Sequence, residues 1–347
     1  MLQIIYSTAM FLIQENISLK PYNTFGIDVN ARYFVEITEV KDLLELRLSD
    51  VFRTERILVI GGGSNLLFRS DFQGLIIKMS IPGIQASIDS QTVYVTAGAG
   101  VVWHDLVMYC VNNGYAGMEN LSLIPGTAGA SPIQNIGAYG VELMDIFYSC
   151  EAFELATGEF KTFSFEECGF AYRDSVFKHE LKGRFIITGV TFRLPQPAAV
   201  NTGYGAIQAV LNERNIVNPG IADISGVVAE IRVSKLPDPS TIGNAGSFFK
   251  NPVIPESQFD GLIANFPNLV SFPAGSGCRK LAAGWLIEQC GFKGIRDGQT
   301  GTWKNQALVL VNHGGATGEE VYSFSEKIIE SVYAKFGLKL EREVNIL

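Results

Sequence analysis

Short apolar runs that end in turn residues recur along the first two thirds of the chain. Runs of this kind, rich in β-branched residues, predict strands at 56–60, 75–79, 93–100 and 185–195. A stretch with helical spacing, 101–113, follows the third of these strands and ends at Gly114, a suitable helix cap. The order of elements predicts an α/β protein.

Two further local patterns complete the predicted elements. Alternating segments at 151–164 flank the turn Thr157-Gly158 and predict a hairpin, and Ser164 with Glu167 has capping-box spacing for a short helix. A helix over 225–235 ends at Leu236-Pro237-Asp238-Pro239, where we predict a domain boundary. Beyond it we predict a helix at 280–290 ending at Gly291, a strand at 307–312, a helix at 317–336 capped by Gly337, and a strand at 338–347.

Composition excludes several classes of protein. The 347 residues are 47% hydrophobic and 18% charged, which is typical of a globular chain of about two domains. A net charge of -8 argues against a protein that coats nucleic acid or an anionic membrane. Three scattered histidines argue against a His-based metal site or triad. Five cysteines without ligand spacing are interpreted as buried reduced thiols in a cytoplasmic protein, with no metal: Cys110, Cys150, Cys168, Cys278 and Cys290.

The first 18 residues begin with an apolar stretch. It is shorter than the ~20 residues of a membrane span. A secretory signal would require positive charge near its start, and no Lys or Arg precedes Lys20. We interpret this segment as a dispensable extension, and either Met1 or Met10 can be the first residue translated.

Two glycine-rich loops are the first candidates for ligand binding. The loop at 61–68 follows a strand and is either a structural turn or a close approach to a phosphate. The loop at 120–143 shows neither helical nor strand periodicity, and such long loops inside compact domains are usually functional. Its candidate contacts to a dinucleotide are the backbone N–H groups of Gly126, Thr127, Gly129 and Ala130 and the side chains of Gln134, Asn135 and Tyr139.

Four isolated polar features have a structural and a functional interpretation. Arg173, beside Tyr172, can bind a carboxylate through two parallel hydrogen bonds from its planar guanidinium. The tetrapeptide at 172–175 alone nevertheless favours an exposed arginine without a function. Arg232 and Lys235 lie at i and i+3, where they can face one anion or solvent. Ser247 has no nearby histidine, so it suits a proton donor better than a nucleophile. Glu341 and Glu343 alternate on the predicted last strand and can be edge residues.

Taken together, eight blocks in order resemble the UDP-N-acetylenolpyruvoylglucosamine reductase family of peptidoglycan precursor synthesis. The resemblance covers about residues 19–345, and Tyr204 makes the chain similar to the longer type, whose tyrosine-bearing loop closes over substrate. The blocks are LKPYNTFGID (19–28), GGGSNLLF (61–68), LIPGTAGASPIQNIGAYGVEL (123–143), YRDSVFK (172–178), SKLPDP (234–239), GNAGSFFKNP (243–252), KLAAGWLIEQCGFKG (280–294) and QALVLVN (306–312).

The resemblance implies a fold of the α+β / α/β class. It combines a vanillyl-alcohol-oxidase-type FAD-binding fold in two subdomains with a third α/β domain for the UDP-sugar. The implied domains are an extension at 1–18, a first FAD-binding subdomain at 19–80 joined by the C-terminal strand at 338–347, a second at 81–235, and the UDP-sugar-binding domain at 236–337.

The resemblance also implies roles for individual residues. Arg173, Ser247 and Glu343 take the catalytic positions. FAD, held without a covalent bond, is expected at Gly61, Gly62, Gly63, Ser64, Asn65, Leu66, Ile124, Pro125, Gly126, Thr127, Gly129, Ala130, Ser131, Gln134, Asn135, Gly137, Ala138 and Arg232. The substrate is expected at Tyr139, Tyr172, Tyr204, Lys235, Asn251, Lys293 and Gln306.

The implied reaction uses NADPH to reduce FAD and then reduces UDP-N-acetylglucosamine enolpyruvate in the same cleft, giving UDP-N-acetylmuramate. Hydride passes from flavin N5 to the vinyl carbon, Arg173 and Glu343 stabilise the enolate, and Ser247 protonates it with help from Lys250 or water. Trp303 and Asn345 depart from common residues of relatives, which leaves NADPH versus NADH preference open. A monomer is expected. The alternatives are another FAD-linked oxidoreductase of this fold and a non-catalytic nucleotide-sugar or flavin-binding protein.

Overall fold

The computed structural model describes residues 11–197, 199–275 and 277–347. Its strands are β1 (Gln14–Ser18), β2 (Asn30–Ile37), β3 (Ile57–Ile60), β4 (Leu66–Leu67), β5 (Phe72–Met79), β6 (Ile84–Asp89), β7 (Thr92–Gly98), β8 (Gly137–Ala138), β9 (Val141–Glu142), β10 (Phe147–Glu154), β11 (Phe160–Ser164), β12 (Phe185–Pro195), β13 (Gly243–Ser247), β14 (Val253–Pro255), β15 (Ser271–Pro273), β16 (Cys278–Leu281), β17 (Arg296–Asp297), β18 (Thr300–Trp303), β19 (Gln306–Asn312) and β20 (Asn345–Ile346).

The α-helices alternate with these strands. They are α1 (Val40–Leu46), α2 (Asp50–Thr54), α3 (Trp103–Asn112), α4 (Phe165–Cys168), α5 (Gly205–Glu213), α6 (Ile221–Lys235), α7 (Glu256–Asn265), α8 (Ala283–Gln289) and α9 (Gly318–Phe336). Short 3₁₀ helices lie at Lys20–Tyr22, Glu119–Leu121, Ala128–Gln134, Leu143–Asp145 and Val176–Lys178.

The chain forms two compact units. The first comprises residues 1–17, 31–62 and 72–231, of which residues 1–10 and 198 lie outside the described part; the second comprises 18–30, 63–71 and 232–347. Each unit is thus built from segments distant in sequence. The predicted division into three domains and an extension stays a prediction.

The first unit contains two sheets and a small helical cluster. In one sheet the order is β1-β2-β5-β3, with β2 and β3 parallel to β5, and α1 and α2 contribute Leu43, Leu46 and Phe52 to its core. In the other the order is β11-β10-β12-β7-β6, antiparallel throughout, and α3 packs Trp103 and Leu106 against it. Helices α5 and α6 bury Ile207, Leu211, Ile224, Val227 and Val228 together.

The second unit is built around the antiparallel sheet β13-β19-β18-β17. Helix α9 begins with the Thr317 and Glu320 capping box and ends at Gly337, with φ of 67°. Its buried face includes Val321, Ile328, Val332 and Phe336, as the helical spacing predicted. The short sheet β14-β16-β15 and the parallel pair β20-β4 complete this unit.

Several predicted elements are wrong in part. Residues 280–281 belong to strand β16, which pairs with β14 and β15 on both sides, so the predicted helix at 280–290 reduces to α8. The predicted strand at 338–347 reduces to a bridge between Arg342 and Phe249 and to β20, because the segment changes pairing partner along its length. The loop at 120–143 contains 3₁₀ helices and the β8-β9 pair.

Two smaller expectations also need correction. Cys110, Cys150 and Cys168 are buried as predicted, but Cys278 and Cys290 are half-buried. Burial, reinforced by the charge of Glu119, raises the pKa of Cys110 to about 12, so this thiol stays protonated. Residues 14–18 of the predicted extension form β1, an edge strand beside β2. The predicted start at Met1 or Met10 lies outside the described residues.

Candidate active site

In the first unit, the two glycine-rich loops meet. A Cβ atom added to Gly61 would overlap the Thr127 hydroxyl, and one added to Gly62 would lie 3.0 Å from the Gly126 Cα. Glycine is therefore required at both positions for the loops to approach this closely. This close approach brings together Gly61, Gly62, Gly126 and Thr127, four of the predicted cofactor positions.

One buried polar atom of this cradle has no partner among the described residues, whereas two of the expected backbone donors already have one. Thr127 is 9% exposed, and its Oγ1 is buried without a hydrogen-bond partner among the described residues. The N–H groups of Gly129 and Ala130 already donate to the carbonyls of Ala99 (3.0 Å) and Thr127 (3.1 Å), so the protein itself uses them. A buried hydroxyl left without a partner is costly, and a bound group that accepts from it would remove that cost.

Asn135 fastens the second glycine loop to the segment that carries Arg173. Its side chain is fully buried; Nδ2 donates to Glu142 Oε2 and to the Ala171 carbonyl, both at 2.9 Å, and Oδ1 accepts from the Met144 N–H at 3.0 Å. The side chain that we expected to contact the cofactor therefore serves to join two loops. Its backbone φ is 46°, in the left-handed region that asparagine tolerates.

Arg173 lies against this same loop. Its Nη2 donates to the Gly137 carbonyl at 2.5 Å and its Nη1 to the Asn135 carbonyl at 3.4 Å, and its guanidinium lies 5.4 Å from the centre of the Tyr172 ring. The backbone φ of Arg173 is 55°, an uncommon conformation for a residue with a Cβ atom. These contacts set the direction of a planar group able to bind a carboxylate by two parallel hydrogen bonds.

The next residue carries a negative charge that is held in place. Partial burial opposes ionisation of Asp174, but hydrogen bonds from His179 and from the Ser175 N–H lower the pKa of this carboxyl below its ordinary value. Lys178 Nζ donates to the Arg173 carbonyl at 3.0 Å. The loop after α4 is therefore cross-linked by charged groups that follow Arg173 in the chain.

Two of the predicted substrate tyrosines also meet in the first unit. The rings of Tyr139 and Tyr204 are 5.2 Å apart and meet edge to face at 82°. Tyr139 packs against the core of α5 and α6, whereas Tyr204 is 39% exposed at the start of α5. The pair therefore consists of an exposed ring, Tyr204, that contacts a ring packed against the core, Tyr139.

In the second unit, Ser247 stands at the end of β13. The strand is irregular between Asn244 and Ser247, where it pairs with β19. Asn244 is buried, and its Oδ1 accepts from the Gly246 N–H at 3.0 Å, which fixes the bulge. Ser247 is half-buried between Gly246 and the buried Phe248. Sequence reasoning missed Asn244, although an asparagine between two glycine positions is a turn signal.

Glu343 lies beside Phe248, the residue that follows this serine. Its N–H donates to the Phe248 carbonyl at 2.8 Å, and its own carbonyl accepts from Asn65 Nδ2 at 3.2 Å. The preceding Arg342 is fastened to α9 through Ser325 Oγ at 2.9 Å and Glu326 at 2.6 Å. From the sequence, either Glu341 or Glu343 could be an edge residue. In the structure the two differ, because Glu341 is exposed and Glu343 is half-buried.

Residues 63–68, the part of the first glycine-rich loop that belongs to the second unit, contact the segment around Glu343. Gly63 has φ of 63°, and a Cβ atom there would collide with the Tyr22 carbonyl. Leu66 pairs with Asn345 in the β4-β20 ladder, and the Asn345 N–H donates to the Asn65 carbonyl at 3.1 Å. The predicted cofactor residues Gly63 to Leu66 thus lie on the segment that also positions Glu343.

The predicted substrate residues of the second unit have defined local contacts. Asn251 Oδ1 accepts from the Ala283 N–H at 2.9 Å at the start of α8, and Gln306 Oε1 accepts from the Leu308 N–H at 3.2 Å. Lys293 pairs with Glu288 at 2.9 Å. Lys235 is exposed and Arg232 half-buried at the end of α6.

The remaining predicted cofactor residues lie on the glycine-rich loop at 120–143, in the first unit. They are Ile124, Pro125, Ser131, Gln134 and Ala138.

The described residues show no metal site and no membrane span. No group of three or more His, Cys, Asp and Glu side chains in the described ranges is arranged to hold a metal ion. Among the helices of that part of the chain, none is long and apolar enough to cross a membrane.

Comparison with known proteins identifies the family. The C-terminal domain of UDP-N-acetylenolpyruvoylglucosamine reductase matches residues 238–347, and an FAD binding domain matches residues 33–164. The reductase of Chromobacterium violaceum is 49% identical over 96% of this chain and 98% of its own length. Those of Flavobacterium johnsoniae and Pseudomonas aeruginosa are 45% and 48% identical, over 96% of this chain and 99% and 98% of theirs.

The chain belongs to the UDP-N-acetylenolpyruvoylglucosamine reductase family. The crystal structure of the reductase from Thermus caldophilus has the same fold, with a TM-score of 0.68 over 97% of this chain and 99% of that one at 23% identity. The predicted fold class is confirmed, as is an FAD-dependent oxidoreductase of peptidoglycan synthesis. As a member of this reductase family, the protein reduces UDP-N-acetylenolpyruvoylglucosamine.

Proposed function

We propose that the protein uses NADPH to convert UDP-N-acetylglucosamine enolpyruvate to UDP-N-acetylmuramate, with Arg173, Ser247 and Glu343 as catalytic residues. The observation that carries the proposal is the hydrogen bond from the Glu343 N–H to the Phe248 carbonyl, which joins a carboxylate residue to the residue after a serine. A carboxylate residue and a serine carried on two hydrogen-bonded backbone segments suit a reaction that builds and then quenches a carbanion.

FAD is held without a covalent bond by the residues of the two glycine loops, together with Arg232. The support for this is the Gly61 and Gly62 contact with the Thr127 loop and the buried Thr127 hydroxyl without a partner among the described residues. When bound, FAD accepts hydride from NADPH and supplies it from N5 to the vinyl CH2 carbon of the substrate. The fixed loop backbone keeps the cofactor in one orientation.

Arg173 stabilises the negative charge that forms on the substrate. Addition of hydride to the vinyl CH2 carbon places charge on the adjacent carbon, and the carboxylate shares it as an enolate. The guanidinium is already oriented by the carbonyls of Gly137 and Asn135, so little reorganisation is needed as charge develops. Glu343 orients or polarises the carboxyl group of the substrate.

Ser247 donates the proton that ends the reaction. Its hydroxyl protonates the enolate at the former vinyl carbon that bears the ether oxygen, and a proton must then return to the serine. Lys250 Nζ lies 2.5 Å from Glu341 Oε1 and is occupied by that ion pair. We therefore assign the return of the proton to water, in preference to Lys250.

The substrate positions are Tyr139, Tyr172, Tyr204, Lys235, Asn251, Lys293 and Gln306. The lysines suit the diphosphate and the amide side chains suit the uracil and sugar groups, since these are the ordinary partners of such groups. NADPH and the sugar nucleotide use one cleft in turn, so no separate nicotinamide fingerprint is needed. We further propose a cytoplasmic monomer divided into the three domains and the extension given above.

The experiment is an anaerobic titration of the purified yellow protein. NADPH is expected to bleach the flavin absorbance, and UDP-N-acetylglucosamine enolpyruvate to restore it, while UDP-N-acetylglucosamine, which lacks the vinyl group, leaves the protein bleached. A repeat with NADH measures the nucleotide preference. Failure of the enolpyruvyl sugar to restore the colour would reject the proposed reaction, and colour retained by acid-denatured protein would indicate a covalent flavin instead.

A further inference from the structure

Asn120 is a buried polar residue that joins two segments distant in sequence. It is 1% exposed, and its Nδ2 donates at 3.0 Å to the Tyr139 carbonyl and at 3.0 Å to the Asn201 carbonyl. A primary amide has two N–H donors, so both are used. Both accepting carbonyls belong to the first unit, one on the turn between β8 and β9 and the other shortly before α5.

The 3₁₀ turn that carries Asn120 is itself fixed. Trp103 Nε1 donates to the Leu121 carbonyl at 2.9 Å, and Ser122 Oγ lies 2.8 Å from Ser225 Oγ on α6. Glu119, also buried, accepts from the Gly117 N–H at 2.6 Å. Burial raises the pKa of the Glu119 carboxyl, although these N–H contacts favour its charged form. The amide of Asn120 therefore projects from a turn held on three sides.

The two segments that Asn120 joins carry the aromatic pair. Tyr139 is the residue whose carbonyl it binds, and its φ of 50° is uncommon for a residue with a Cβ atom. The second carbonyl belongs to Asn201, whose Oδ1 accepts from the Gly203 N–H at 3.0 Å immediately before Tyr204. The same amide thus fixes the backbone beneath one tyrosine and beneath the approach to the other.

We propose that Asn120 is a positioning residue for the enolpyruvyl sugar, acting through Tyr139 and Tyr204. The inference rests on the proposed function, in which both tyrosines contact the substrate. By holding both carbonyls, Asn120 sets the edge-to-face arrangement of the rings at 5.2 Å before substrate arrives. Pre-organisation of this kind lowers the cost of binding without contributing to the chemistry of flavin reduction.

The test compares Asn120→Ala with Asn113→Ala, which removes an exposed asparagine whose Nδ2 donates to the Tyr109 carbonyl at 2.8 Å. For Asn120→Ala we expect the KM for the enolpyruvyl sugar to rise on the order of 10- to 100-fold, with an unchanged rate of flavin reduction by NADPH. Asn113→Ala is expected to leave both at wild-type values. Asn120→Ser, which keeps a small polar side chain, replaces Asn120→Ala if the latter does not fold, and Asn120→Gln is expected to restore part of the affinity.

A double variant separates positioning from general loosening of the fold. In a Tyr204→Ala background, Asn120→Ala is expected to raise KM far less than it does alone, because its effect passes through the tyrosine pair. Equal factors in both backgrounds, or a normal KM in folded Asn120→Ala or Asn120→Ser, would overturn the inference. Wild-type protein that fails to reduce the enolpyruvyl sugar would instead reject the proposed function, so the two failures are distinguishable.

Discussion

The N–H group of Glu343 donates to the carbonyl of Phe248 at 2.8 Å, which places the C-terminal glutamate directly beside the Ser247 strand. These residues are almost a hundred positions apart in the sequence. The link is strengthened by Asn65, which donates to the Glu343 carbonyl, and by the anchoring of Arg342 to α9. The backbone of Glu343 is therefore tied, within the second unit, to the residue that follows Ser247.

Loss of charge at Glu343 or Arg173 should separate the two half-reactions. In Glu343→Gln and Arg173→Ala we expect FAD to remain bound and its reduction by NADPH to be nearly normal. Reoxidation by the enolpyruvyl sugar should slow on the order of 10²- to 10³-fold, because only this step builds an enolate. Anaerobic stopped flow measures both rates. Glu330→Gln, an exposed change on α9, is the matched control, and equal losses in both steps would show that the two residues hold the cofactor.

Substitution of Ser247 should affect turnover and leave flavin reduction intact. Ser247→Ala is expected to accept hydride from NADPH at a near-normal rate, while turnover of the sugar falls steeply because the enolate is not quenched. Ser247→Cys should recover part of the turnover, since a thiol with pKa of about 8.5 can donate from nearly the same place. Ser331→Ala on α9 is the control. Near-normal turnover in Ser247→Ala would refute the role of the hydroxyl.

Lys250 tests the source of the returning proton. Because its Nζ is paired with the exposed Glu341 carboxylate, Lys250→Met is expected to change turnover by no more than roughly the few-fold that an ion pair of this kind is worth. Steady-state kinetics with saturating NADPH measures the change. A loss as large as that of Ser247→Ala would transfer the supporting role from water to Lys250.

The contact between the glycine loops predicts a compensating pair of substitutions. Gly61→Ala is expected to lower the free energy of unfolding by about 1–3 kcal/mol, because the new methyl group overlaps the Thr127 hydroxyl. In Gly61→Ala/Thr127→Ala the next atoms lie at 3.5 Å or beyond, so stability should return. FAD affinity should stay low if the Thr127 hydroxyl binds the cofactor. Denaturant unfolding and FAD titration measure the two effects separately.

The matched control for that pair is Gly226→Ala, in the middle of α6. No atom lies within 4 Å of a Cβ added there, so this change should stabilise the protein by about 0.5–1 kcal/mol. A double variant that stays as unstable as Gly61→Ala would mean that the overlap with Thr127 is not the cause of the loss.

Truncation distinguishes the two parts of the N-terminal segment. Removal of residues 1–9, which lie outside the described residues, is expected from sequence to leave activity and Tm unchanged. Removal of residues 1–18 should lower the free energy of unfolding by at least about 1.5 kcal/mol, because Phe11 and Ile13 pack against the core and β1 pairs with β2. Thermal unfolding of both truncated forms checks this. Equal Tm values for both would show that β1 contributes nothing to stability.

Elements fixed by local signals could be predicted from the sequence. Helix α9 is the clearest case, since its capping box, its apolar stripe and its C-terminal glycine all act within one or two turns. Strand β12 was predicted with its observed bounds, because it is an apolar run rich in β-branched residues that ends at a proline. The two glycine loops were recognised as a binding region by composition and length, and their residues led to the family.

What only the tertiary structure decided depends on pairing over long distances. Residues 280–281 join a strand because β14 and β15 lie on both sides of them, which overrides their helical pattern. Glu343 meets Phe248, the residue after Ser247, through a backbone hydrogen bond between distant segments, and the side-chain amide of Asn120 meets two carbonyls from elsewhere in the chain. The sequence therefore determined the residue types, the local elements and the family, whereas the burial and partners of each polar group followed from packing, which no local pattern encodes.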